Sequence, residues 1–505
     1  MFVRRSFALL IVALVLKWNT APAVRAQNVA ARREFPPGIA RQAQDLPASR
    51  LRTQIERLPA AARDRAMAWL SNFHFTEQDL SALHTDSDGA IFYADEFQLA
   101  PAAAAASEPT TAEAAVPVSP FPANLKFHSK PGAPNVIYLN FVGETVQNTA
   151  WNSSISRTSI PAVAFSSDSD RATFSDSEQL AIRRIWQRVA EDYAPFNVDV
   201  TTERPATFTT RTAQALITRN TDANGAANPS STAGGVAYVG AFATSSYANY
   251  RPAWIYDNNL VGEESYIAEA VAHEIGHNMG LSHDGTTSED YYRGHGSGDI
   301  SWGPIMGASY GRNVTQWSKG EYYNANNTQD DLATVAGKLT YRTDDHGNTL
   351  SSATSLVIGA GGVIASTTPE TDPVDYAAVN KGVLERNTDV DWFSFASGSG
   401  PISLAINPWI NFNAVSRGGN IDLRVELYNS AGQLLMTNNP SSLTGATIQT
   451  NLTEGIYYLA IRDSAAGSPL IASPTGYTTY GGVGQYFISG AVVPSGIVTP
   501  PGAEL

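Results

Sequence analysis

The spacing of hydrophobic positions changes twice along the chain and divides it into stretches of different texture. Residues 27 to about 95 are polar and helix-prone, as in RTQIERLPAAARDRAMAWLSNF, and close on the strand-like AIFYADEF. The following LAPAAAAASEPTTAEAAVPVSPFPANL is rich in Ala, Pro and Thr, has little to bury, and predicts an exposed linker open to proteolysis. NVIYLNF near Asn135 predicts a first strand. SDSEQLAIRRIWQRVAEDYAPF predicts an amphipathic helix with Ile182, Ile185, Trp186, Val189 and Tyr193 on one face and a capping box from Ser175 and Glu178. NVDVTT, AQALITR and GGVAYVGAF predict three more strands, and TQDDLATVAGKL predicts a helix from Thr328 to Leu339. From Asp344 onward the period becomes two. In IDLRVELY, Ile421, Leu423, Val425 and Leu427 are expected in a core, with Asp422, Arg424 and Glu426 in water. GPISLAI, GIYYLAIRD and QYFISGAVV repeat the alternation between turns, as expected of a β-sandwich.

Chemistry concentrates in HEIGHNMGLSHD, His273 to Asp284, which holds three of the chain's eight histidines. Four residues of helix return His277 to within about 40° of His273, one turn of roughly 6 Å further along. An unbroken helix would send His283 to the far side, so the chain must turn between them. Gly280 allows the turn, because glycine enters the left-handed conformation that ends helices. Three convergent imidazoles with a fourth position left to water describe a catalytic zinc site. Glu274 adds a carboxylate able to act as general base on that water. A helix with buried, satisfied histidines is the plain structural alternative, but imidazoles rarely cluster three deep without a metal.

HExxHxxGxxH resembles the zinc signature of the metzincin metalloproteases, and Asn278 and Asp284 are most similar to the reprolysin (adamalysin) branch. The resemblance implies zinc on His273, His277 and His283, with Glu274 as base. It implies a methionine turn at Met306 in WGPIMGASYG, and a supporting role for Asp284 in tying the third-histidine loop into the fold. In the astacin and serralysin branches a tyrosine two residues after that methionine can reach the metal; here the position is Ala308, and Tyr310 either lines a specificity pocket or packs. The carboxy-terminal part, with NTDVDWFSF, resembles the bacterial pre-peptidase carboxy-terminal (PPC) domain. That resemblance implies matrix or polysaccharide binding, and calcium in some relatives. Asp344, Asp345, Asn348, Asp389 and Asp391 are oxygen donors able to hold calcium or to stand as solvated turn groups, so no calcium ligand is assigned.

Composition adds location. MFVRR, the apolar SFALLIVALVL and Val24-Arg25-Ala26 read as a cleaved signal peptide, and no later apolar run reaches transmembrane length. A chain of 505 residues without cysteine, exported, points to a bacterial exoprotein stabilised by size. A net charge of −14 lacks the footprint of a nucleic-acid binder. The absence of cysteine removes the prosegment-cysteine latency switch used by many metzincins, leaving a carboxylate or imidazole to block the metal. HTDSDG gathers His84, Asp86 and Asp88 for that role, or as a plain Asx-rich turn.

The expected organisation is a signal peptide at 1–26, a small α-rich propeptide and linker at 27–120, an α/β metzincin-type domain of mixed twisted sheet and zinc helix at 130–343, and an all-β, jelly-roll-like sandwich at 344–494. The expected function is a secreted zinc endopeptidase acting on proteins or peptides, made as a proenzyme. A catalytically silent adhesion protein with structural zinc and a zinc-dependent cell-wall amidase are the alternatives. Retention of Glu274 argues against the first, since a structural site needs no base.

Overall fold

A computed structural model describes residues 33–96, 121–168, 170–366, 379–409 and 418–497. The expected signal peptide and most of the Ala/Pro-rich linker lie outside them. The centre of the fold is a seven-stranded sheet. Its order is Leu83–Thr85, Ile91–Asp95, Gly235–Tyr238, Ala253–Tyr256, Thr212–Thr218, Asn135–Asn140 and Val198–Thr201. The last four pair in parallel and the first four antiparallel, so Gly235–Tyr238 runs against the parallel block it borders. The strand Ile91–Asp95 continues the sheet beyond it, with Gly235 opposite Asp95 and Tyr238 opposite Phe92.

Two helices cover the sheet. Asp176–Asp192 begins as its sequence predicts: the Ser175 side chain accepts from the Glu178 amide, and the Glu178 carboxylate accepts from the Ser175 amide at 2.8 Å. Its apolar face, with Ile182, Ile185, Trp186 and Val189, is buried, and the Trp186 indole donates to the Val200 carbonyl. The second helix, Glu264–Met279, is buried along nearly its whole length. The Tyr193 hydroxyl donates to its Ala272 carbonyl at 3.0 Å and joins the two helices. The closing helix runs from Asp331 to Leu339 rather than from Thr328, because Asp330 caps it by accepting from the Ala333 amide.

The amino-terminal residues carry helices Arg50–Arg57 and Ala60–Leu70 and their own apolar cluster around Phe35, Leu51, Ile55, Leu70 and Phe75. They also grip the rest of the chain. Trp69 donates to the Val239 carbonyl, Gln78 to the Thr286 carbonyl, and the Ser282 hydroxyl to the His74 carbonyl.

The described strands between Thr354 and Ala491 form two facing antiparallel-rich sheets. One is ordered Thr354–Ser355, Asp391–Ser397, Gly455–Asp463, Leu423–Asn429, Leu434–Asn438; the other contains Val363–Ile364, Gly484–Ala491, Gly400–Pro408 and Ala446–Leu452, with Lys381–Leu384 also on Gly484–Ala491. Ile421, Leu423, Val425 and Leu427 are fully buried, as the alternation predicts. Asp422 and Glu426 are not in water. Asp422 is buried and accepts from the Tyr477 hydroxyl at 2.9 Å, and Glu426 is buried between Arg424, Arg462 and Tyr428. Alternation assigned them outward, but the outer face of this strand is covered by polar partners from neighbouring strands and the returning chain. The sandwich also reaches back: Tyr480 and Val483 sit in the core of the seven-stranded sheet, and the Tyr480 hydroxyl donates to Asp330.

Candidate metal centre

The helix Glu264–Met279 ends where the sequence predicts. Gly280 adopts φ +109°, and the amides of Gly280 and Leu281 both reach the Gly276 carbonyl, closing the helix and turning the chain. That turn brings His283 beside His273 and His277, with ring centroids 4.7, 4.9 and 5.3 Å apart. All three are buried. Each ring is oriented through Nδ1: His273 donates to the Ile305 carbonyl at 2.9 Å, His277 to the Leu281 carbonyl at 2.8 Å, and His283 faces the Asp79 carboxylate at 2.9 Å. A carbonyl can only accept, so the first two contacts leave the Nε2 lone pairs aimed into the site.

A fourth donor meets them. Asp95, at the end of the strand Ile91–Asp95, is fully buried; its Oδ2 lies 3.0 Å from His277 Nε2 and 3.4 Å from His273 Nε2, and its Oδ1 lies 3.0 Å from His283 Nε2. Four ligands at about 2.1 Å in a tetrahedron stand about 3.4 Å from one another. The four donor atoms here lie within 4.8 Å of one another, and their chemistry, three imidazole nitrogens and a carboxylate oxygen, fits zinc.

Glu274 is fully buried next to this cluster, and no N–H or O–H of the described residues donates to its oxygens. Burial, then the charge of Asp95, pushes its carboxyl well above the ordinary range. Burial alone would raise Asp95 too, but the neighbouring imidazoles, His283 foremost, hold it well below. Gly235 is the reason Glu274 fits, since a Cβ there would stand 2.3 Å from Glu274 Oε1. Met306 is fully buried under the helix, where a Cβ on Gly276 would meet its sulfur at 2.7 Å. Asp284 is buried; its amide donates to the Met306 carbonyl, and its own carbonyl accepts from the Tyr292 amide. These bonds join the third-histidine loop to the Met306 turn.

The sequence reading missed Asp95 and Tyr291. The Tyr291 hydroxyl donates to Asp95 Oδ1 at 3.0 Å, and its ring lies 4.3 Å from that of His283. Alternation offered a signal for Asp95, because Ile91, Tyr93 and Asp95 share one buried face of their strand. The HTDSDG residues are elsewhere. His84 stacks on Phe92, and Asp86 accepts from the amides of Asp88 and Ala90 and from the Tyr238 hydroxyl, an Asx-type turn. Tyr310 is largely buried, edge-on to Tyr266 at 5.1 Å.

A second group of acids lies at the start of the sandwich. Asp344, Asp345 and Glu385, and Asp344, Asp389 and Asp391, bring carboxylate oxygens within 4.8 Å. Glu385, which the sequence reading did not include, is pushed up to about 10 by burial and then by Asp345.

Residues 140–318 match the model of Metallo-peptidase family M12, Reprolysin_5. This segment is similar to the M12 metallopeptidases. The match spans the zinc-type motif and the Met306 turn and bears out the metzincin resemblance; similarity to M12 metallopeptidases supports a zinc-dependent peptidase. No curated protein matches the chain. Among solved structures, the chain is similar to the pre-peptidase C-terminal domain of a collagenase from Bacillus anthracis, at 14% identity over 28% of this chain and 98% of that one, TM-score 0.17. It is also similar to a cycloisomaltooligosaccharide glucanotransferase from Paenibacillus sp. complexed with cycloisomaltoheptaose, at 10% identity over 55% of this chain and 35% of that one, TM-score 0.14. Among the described residues no helix is long and apolar enough to cross a membrane.

Proposed function

We propose that the protein is a secreted zinc endopeptidase made as a proenzyme. The observation that carries this reading is the buried convergence of three Nε2 atoms with Glu274 beside them. His273, His277 and His283 would hold zinc, Met306 floors the site, and Asp284 braces the third-histidine loop. Zinc, when bound, acidifies water and polarises the scissile carbonyl. Glu274 takes the water's proton and returns it to the leaving amine. The edge of Gly235–Tyr238 would receive the substrate as an added antiparallel strand. In the precursor Ile91–Asp95 occupies that edge, and Asp95 takes the position a water would need. Latency thus has two layers, a ligand and a strand. Cleavage in the Ala/Pro-rich linker, export by the signal peptide, and matrix or polysaccharide binding by the sandwich complete the reading.

The test compares processed wild type with Glu274→Gln and His277→Ala. Glu274→Gln should keep one zinc and lose at least about a hundredfold in kcat, while His277→Ala should lose the metal. Full activity in Glu274→Gln removes the mechanism, and unchanged zinc in His277→Ala removes the ligand assignment. For latency, uncut Asp95→Ala should expose the metal to a small chelator far faster than the parent precursor does, with peptide cleavage still blocked by the strand. Equal chelation rates overturn the role of Asp95.

A further inference from the structure

The Asp95 carboxylate fills the metal centre in a revealing way. Its two oxygens, on one carbon, are held differently: Oδ2 faces His273 and His277, while Oδ1 faces His283 and accepts a hydrogen bond from the Tyr291 hydroxyl at 3.0 Å. Glu274 stands next to the pair. During peptide hydrolysis the reacting carbon also carries two oxygens, one from water beside the base and one from the carbonyl. Asp95 likewise presents two oxygens on one carbon beside Glu274, and the Tyr291 hydroxyl meets its second oxygen.

Tyr291 belongs to the part of the chain that stays when the amino-terminal segment leaves. The next residue is pinned through its backbone: the Tyr292 amide donates to the Asp284 carbonyl at 2.8 Å, and the Ala308 amide donates to the Tyr292 carbonyl at 2.9 Å. The Tyr292 ring stacks on Tyr322 at 4.6 Å. Neighbouring bonds thus tie the segment to both the third-histidine loop and the Met306 turn, which is the rigidity a preorganised donor needs.

We infer that Tyr291 is a catalytic residue, donating a hydrogen bond to the carbonyl oxygen of the scissile bond as that oxygen gains negative charge. Water oxygen bonds to the carbonyl carbon and gives its proton to Glu274. The C=O electron pair moves onto oxygen, which accepts a hydrogen bond from the Tyr291 hydroxyl. The pair then returns, the C–N bond breaks, and the amine leaves with the proton from Glu274. Tyr291 keeps its own proton throughout. In the precursor the same hydroxyl holds Asp95, so one side chain serves latency first and catalysis afterwards.

This inference rests on the peptidase reading, and its test separates the two. Processed wild type and Tyr291→Phe are compared for zinc content, for kcat and KM on one peptide, and for calorimetric binding of two analogues. One analogue is a phosphinic peptide, tetrahedral and charged at the scissile position; the other carries an N-methylated, uncleaved scissile amide. Tyr291→Phe should keep one zinc, lose about a hundredfold in kcat at a KM within twofold, and lose phosphinic-peptide affinity by at least about tenfold while binding the N-methyl peptide unchanged. Unchanged kcat and phosphinic affinity overturn the inference alone. Equal losses for both analogues overturn it as well, because they mark a merely structural tyrosine. Absence of peptide cleavage by zinc-loaded, processed wild type overturns the peptidase reading beneath it.

Discussion

Gly235→Ala tests the link between the strand Gly235–Tyr238 and the proposed base without replacing any metal ligand or Glu274. A Cβ at this position would stand 2.3 Å from Glu274 Oε1, 2.5 Å from Cγ and 2.6 Å from Cδ. Ordinary contact requires about 3.5 Å, so the glutamate must retreat by roughly 1 Å. The strand is paired to Ile255, and in the precursor to Asp95 as well, which limits how far the backbone can yield instead. Overpacking of this kind costs about 1–3 kcal/mol, offset by roughly 0.4–1 kcal/mol from the stiffer unfolded chain. A misplacement of about 1 Å in a catalytic group can cost on the order of a hundredfold in rate. The processed variant should therefore keep its zinc, lose up to about 2 kcal/mol in urea unfolding, and drop roughly a hundredfold in kcat. Gly337→Ala is the control: it lies in the helix Asp331–Leu339 with nothing within 4 Å of a new Cβ, so it should gain about 0.5–1 kcal/mol and keep full activity. Wild-type kcat in Gly235→Ala would refute the argument that this glycine makes room for a working base.

Met306→Ala should cost about 2–5 kcal/mol in chemical denaturation, since the side chain is fully buried, whereas Met306→Leu should cost less than about 1.5 kcal/mol. A similar loss for both variants would count against a simple packing role. His128 gives a pH signature far from the metal: its Nδ1 lies 2.7 Å from Asp199 and its Nε2 3.2 Å from Glu203, and the Asp199 hydrogen bond, opposed by burial, raises its pKa above 6.5. A raised histidine contributes stability fully below about 6.5 and loses it as pH rises through the folded value. Tm should accordingly fall as pH rises above about 6.5, and His128→Asn should flatten that slope; an unchanged slope would exclude this ion pair as its source.

What could be read from the sequence was what local geometry dictates. HEIGHNMGLSHD specifies its own helix, its own stop at Gly280 and the return of His283, so a motif of twelve residues carries most of the site. The Ser175 and Glu178 capping box and the Ile421 to Leu427 alternation are local in the same sense. Asp95 was hidden because its meaning lies in a pairing across a gap of well over a hundred residues, Asp95 opposite Gly235, which no short-range pattern encodes. Tyr291 was hidden for a related reason, since its partner arrives from the amino-terminal segment. Asp422 and Glu426 misled the reading because a polar residue on an outward face reads as solvated until its partners from other strands are known. The acids around Asp344 were visible as turn groups, but Glu385 joined them only in three dimensions.

The central claim is a zinc-dependent peptidase, and cleavage of a diverse peptide library by the processed protein tests it most directly. Products are read by mass spectrometry with metal present, after chelation, and after return of one equivalent of zinc. The account predicts cuts at internal peptide bonds that vanish on chelation and return with zinc. Cleavage that persists without metal, or none from fully zinc-loaded, processed protein, would contradict it.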